Sequence, residues 1–208
     1  MRDAHAVAVR DILAWTERTR PALARVARDW DDVARSAVSA FGDGGNATWH
    51  APLTSAVADA APVTHALEAL ARNHSTALAS GVVSHDAHPD DLLHAAVSAA
   101  FASLRVAHEA PAALAAAAVE TGTVALPYPA DGRCARTCLR LARIHLAVAD
   151  EAARAAHTLA VASKQRDLPS LARIDAWCQK LRDNLALRAV AGAPGANAAS
   201  FPADWERR

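Results

Sequence analysis

Val9, Ile12, Thr16, Thr19, Leu23, Val26, Trp30, Val33, Ala37 and Phe41 follow one another at spacings of three and four residues. Those two steps return an α-helix to the same face, and a seam kept over more than about four heptads marks a long helix packed lengthwise against others. A strand, with its period of two, cannot present such a set on one side. Pro21 lies inside the seam and is expected to kink or split the helix there, because it lacks an N–H and clashes with the preceding turn.

Glycine and proline clusters divide the rest of the chain: GDGG at 42–45, Gly81 with the stretch to Pro89, Gly122 with Pro127 and Pro129, Asp167 to Pro169, and GAPG at 192–195. Such clusters end helices, which predicts helices over 4–40, 52–80, 89–121, 132–165 and 170–190 with a tail from 191. The later segments carry shorter stripes: Val63, Leu67, Leu70, His74 and Leu78; Leu93, Val97, Phe101, Leu104 and His108; Leu141, Ile144, Val148, Ala152, Ala155 and Leu159; Leu171, Ile174, Cys178, Leu181 and Leu185. Alanine supplies 57 of the 208 residues; it is the strongest helix former and lets helix backbones approach closely. The expected fold is all-α, an antiparallel up-and-down bundle of four long helices plus a short fifth helix. Residues 1–190 form the bundle and 191–208 a flexible tail.

Charge and cysteine content limit the function classes. The chain has 22 basic and 22 acidic residues and no net charge, whereas a dedicated nucleic-acid binder usually shows a basic excess. The N-terminal MRDAHAVAVRD is charged on both sides of a short apolar stretch, unlike a signal peptide. Ala110 to Val119 falls far below the ~20 apolar residues a membrane span needs. Three cysteines suit a reducing compartment better than a disulfide framework. A cytoplasmic protein is expected, without membrane association.

Two clusters have metal-ligand residue types. In SHDAHPDDLLH, His85, Asp86, His88, Asp90, Asp91 and His94 crowd together. A helix start explains them more simply, with Pro89 at the first position and Asp90 and Asp91 meeting the positive end of the helix dipole. Cys134 and Cys138 share a face with His145, but His145 lies about 10 Å further along the axis and cannot join one mononuclear site; these residues and Cys178 read as core. The Glu-x-x-His pairs of di-iron bundles, a phosphate-binding glycine loop, Gly-x-Ser-x-Gly and His-Glu-x-x-His do not occur. Neither a metal nor another cofactor is expected. Arg140-Leu-Ala-Arg-Ile-His145 resembles the Arg-x4-6-His motif of HEPN-type ribonucleases over six residues. The resemblance implies a helical dimer acting on RNA through Arg140 and His145. It departs from the family at Leu141, where a polar residue is usual.

Between Gly132 and Ala149 there are four arginines, Arg133, Arg136, Arg140 and Arg143, and no acid. Their stripe occupies the start of the fourth helix, the end where the dipole disfavours cations, so an anionic group is expected opposite. Asp29, Asp31 and Asp32 of the first helix provide one from inside the chain. Counting along an antiparallel pair sets Asp29 level with Arg143 and Asp32 level with Arg140, and this pairing is favoured over phosphate binding. In the tail, Phe201 and Trp205 follow a Gly/Pro/Ala/Ser leader; they are candidates to dock a partner or to fold back on the bundle. The resulting expectation is a non-catalytic scaffold, adaptor or small subunit acting through protein–protein contacts or self-association. The alternative is a nucleic-acid-directed protein, backbone-binding or HEPN-like, using the basic stripe.

Overall fold

The computed structural model describes residues 2–41, 50–80, 88–120, 133–163 and 169–191. They form five α-helices: α1 (Arg2–Phe41), α2 (Ala51–Ser80), α3 (Pro89–Glu120), α4 (Arg133–Ala162) and α5 (Pro169–Ala191). Every end lies within a few residues of its expected position. At the start of α3, Pro89 opens the helix, Asp90 and Asp91 occupy the first turn, and the His88 Nδ1 accepts the Asp90 N–H at 3.3 Å. His88 is therefore the cap of that helix. α1, α2 and α3 run unbroken through Pro21, Pro62 and Pro111, so the expected split at Pro21 does not occur. Pro21 and Pro62 sit on the exposed side of their helices, where the ring does not enter the seam.

The first four helices close into a ring, each packed on its sequence neighbours and α4 back on α1, while α5 covers the groove between α3 and α4. Pairs across two of the seams run in reverse order. On α1 and α2, His5 meets His74 at 2.9 Å, Arg20 meets Glu68, and the Trp30 indole donates to the Thr54 hydroxyl at 3.1 Å. On α4 and α5, His157 meets Asp175 at 3.0 Å and Arg182 meets Asp150 at 3.3 Å. α1 and α2 thus run in opposite directions, as do α4 and α5.

The long seam of α1 faces the core as its spacing requires. Val9, Ile12, Thr16, Val26, Trp30, Val33 and Ala37 are buried, and Thr19 and Leu23 half-buried. α5 buries Leu171, Ile174, Cys178 and Leu181. The stripe expected for α2 needs correction: Leu78 is exposed, and Leu53, Ala56, Ala60, Thr64, Leu67, Ala71 and His74 form the buried line. No helix among the described residues is long and apolar enough to cross a membrane.

Candidate functional site

α4 is buried on one broad side by Cys134, Thr137, Cys138, Leu141, Ala142, His145 and Leu146. Helical geometry leaves Arg133, Arg136, Arg140 and Arg143 on the opposite side, and all four are exposed. Arg140 donates to the Asp29 carboxylate of α1 at 3.2 Å. The acidic group of α1 therefore answers the stripe, but about one turn away from the counted register. Asp29 takes Arg140 in place of Arg143, and Asp32 is held by Arg35 of its own helix at 2.6 Å. Helix ends gave the counted register; the large buried side chains of α1, Trp15 and Trp30 above all, set the real one.

Arg136 and Arg143 have no ion-pair partner among the described residues. Further along the same edge, a groove of about 710 Å³ runs between Asp11 and Arg18 of α1 and Glu151, Arg154 and His157 of α4. Glu151 is paired with Arg154 at 2.9 Å. The α1–α4 edge is thus a mixed surface, basic at the start of α4 and interrupted by Asp29, Asp32 and Glu151.

His145 lies on the other side of α4. It is 5% exposed and its Nδ1 has no hydrogen-bond partner among the described residues; burial lowers its pKa to about 4, so the ring is neutral. Five residues turn a helix by about 140°, which is why Arg140 points to solvent and His145 into the bundle. The pair that resembles the ribonuclease motif is not brought to one surface of this chain.

His94 is exposed, His88 and Asp90 belong to the helix cap, and His85 and Asp86 lie outside the described residues. No group of three metal-ligating side chains occurs among the described residues. Cys134, Cys138 and Cys178 are buried free thiols. A hydrogen bond donated to Cys134 and burial push the Cys138 thiol upward, while accepting that bond lowers Cys134; burial and Asp150 push Cys178 up to about 12. Thiols held protonated are poor ligands and poor nucleophiles.

Sequence reasoning missed the ion cluster around Glu68, whose carboxylate receives Arg20 of α1 and, at 2.6 Å, Arg72 of its own helix. The i, i+4 spacing of Glu68 and Arg72 signals half of it; the Arg20 partner depends on the α1–α2 register. Phe201 and Trp205 lie outside the described residues. No protein-family model, curated protein or solved structure matches the chain.

Proposed function

We propose that this protein is a non-catalytic helical-bundle subunit or adaptor that joins a protein partner, or a second copy of itself, through the α1–α4 edge. The carrying observation is the pair Arg136 and Arg143, exposed without an ion-pair partner among the described residues. Arg136 sits in the first turn of α4, where the dipole disfavours cations, and Arg143 continues the same exposed stripe. Within the fold these charges gain little, whereas acidic side chains of a partner would offset the dipole term. A protein surface suits the edge better than a nucleic-acid backbone does. Phosphates laid along Arg136, Arg140 and Arg143 would also meet Asp29 and Asp32, and like charges brought together oppose binding. Phe201 and Trp205 serve in this reading as a second, aromatic contact, since such anchors concentrate binding energy. Three buried free thiols are compatible with a reducing compartment, the cytoplasm.

The test compares proteins co-purified from the native host by the wild-type chain, by R136E/R143E, and by a chain ending at residue 190. A partner retained by the wild type and lost from the charge-reversed variant supports the reading; so does a dimer in sedimentation that the same variant dissociates. RNA or DNA affinity that falls steeply with salt and with loss of Arg133 and Arg136 would instead support the nucleic-acid alternative.

A further inference from the structure

The buried apolar residues of the bundle fall into two clusters. One gathers Trp15, Leu67, Leu93, Leu104 and Leu159; the other gathers Trp30, Val33, Leu53 and Leu141. Between them lies a layer of buried polar side chains, Thr16, Thr64, Glu68 and His145. The register set by Arg20–Glu68, Trp30–Thr54 and Asp29–Arg140 brings these residues of α1, α2 and α4 to about the same height. Pro21 and Pro62 fall there too, on α1 and α2 respectively. At this height a cavity of about 50 Å³ opens between α1, α2 and α4, lined by Thr16, Leu23, Ala60, Thr64, Glu68 and His145 among others.

We propose that this cavity is a binding site for a small uncharged molecule carrying one hydroxyl group on a short apolar body. His145, which lines this cavity and is 5% exposed, has no hydrogen-bond partner for its Nδ1 among the described residues, although native interiors leave few such groups unsatisfied. A neutral imidazole offers one donor and one acceptor, and a hydroxyl group matches either.

The threonines do not compete for the hydroxyl, because each donates to its own helix: Thr16 to the Ile12 carbonyl at 2.8 Å and Thr64 to the Ala60 carbonyl at 2.9 Å. Leu23, Ala27, Val57, Ala60 and Ala61 make the rest of the wall mostly carbon. That suits an apolar body better than a water, which needs about two to four polar partners. The ligand is uncharged because the ions at the mouth are already matched. Glu68 holds Arg20 and Arg72, and Glu17 also acts on Arg72. The volume limits the buried part to a few heavy atoms; a longer chain would emerge past Arg20 and His65 at the rim.

The site is independent of the α1–α4 edge and is tested on the full chain with 1-propanol as probe and 1-chloropropane as its hydroxyl-free counterpart. The side-chain nitrogen resonances of His145 are followed by NMR through each titration. The expected result is a saturable shift with 1-propanol, with affinity about tenfold higher than for 1-chloropropane, the size of one net hydrogen bond. In Ala60→Leu, which fills the cavity, the shift is lost while the helical circular dichroism is kept. Should that variant fail to fold, His145→Phe keeps a ring in the wall without its nitrogens. It must then lower propanol affinity to that of the chloride, read from the propanol signals. No saturable shift, equal affinity for both probes, or binding undiminished in the folded variants would overturn the proposal.

Discussion

His145 places an imidazole in the middle of the bundle, 5% exposed and held neutral by burial with a pKa of about 4. In the unfolded chain the same group titrates near 6.5. Between those two values the unfolded state binds a proton that the folded state refuses, so stability falls as pH drops from about 6.5 to about 4 and then levels off for this group. Integrated over that window, the loss is on the order of 3 kcal/mol. His5, His74 and His108 are shifted downward by burial as well and add to the slope with the same sign. Urea unfolding at a series of pH values checks this. Against the wild type, His145→Gln should show a clearly shallower fall in stability between pH 6.5 and 4. An unchanged slope would mean that His145 is protonated in the fold.

At the scale of the helices, the Asp29–Arg140 pair tests what sets the register of α1 on α4. Both side chains are about half exposed, so solvent screening limits their coupling to roughly 0–1 kcal/mol. A double-mutant cycle on Asp29 and Arg140 should give a coupling of a few tenths of a kcal/mol that shrinks in high salt; the cycle on Asp29 and Arg143 should give none. The reverse outcome would put the helices one turn away from the register described. Much of each helix was legible in the sequence, because glycine and proline mark the ends and the α1 seam is built from large side chains at unambiguous spacing. Alanine is what hid the rest. Ala56, Ala60 and Ala71 are buried while Ala14 and Ala58 are exposed, and nothing in the residue itself separates the two cases. The line of α2 was therefore drawn through Val63, Leu70 and Leu78, when backbone approach at alanines decides which face turns inward. The arginine stripe and its acidic counterpart were readable as charges, but pairing them needed a register that only packing fixes. The cavity at His145 was not legible at all, since it arises from three helices meeting at one height.

Across the whole molecule, the polar layer at His145 separates two apolar halves of unequal support. The half containing Trp15 and Leu159 is packed by all four ring helices and is covered by α5 through Leu171, Ile174 and Leu181. The half containing Trp30 and Leu141 is chiefly the work of the four ring helices, and its exposed edge holds Arg136 and Arg143, which have no ion-pair partner among the described residues. α1, about 60 Å long, runs through both halves. Local opening takes place where fewest apolar contacts must be broken, so the half containing Trp30 and Leu141, which α5 touches only through Leu185, should open first. In hydrogen–deuterium exchange, the amides of α1 between Val26 and Ala37 and of α2 between Leu53 and Ala60 should exchange faster than those of α4 between Ala149 and Leu159. Substitutions sharpen the contrast. Leu141→Ala and Leu159→Ala each remove a fully buried side chain and should each cost about 2–5 kcal/mol. Leu141→Ala should speed exchange mainly in its own half, while Leu159→Ala should lower protection throughout, because it weakens the part on which complete unfolding depends. Equal protection in both halves, or the same exchange pattern from both substitutions, would show that the polar layer does not divide the bundle and that the five helices open as one unit.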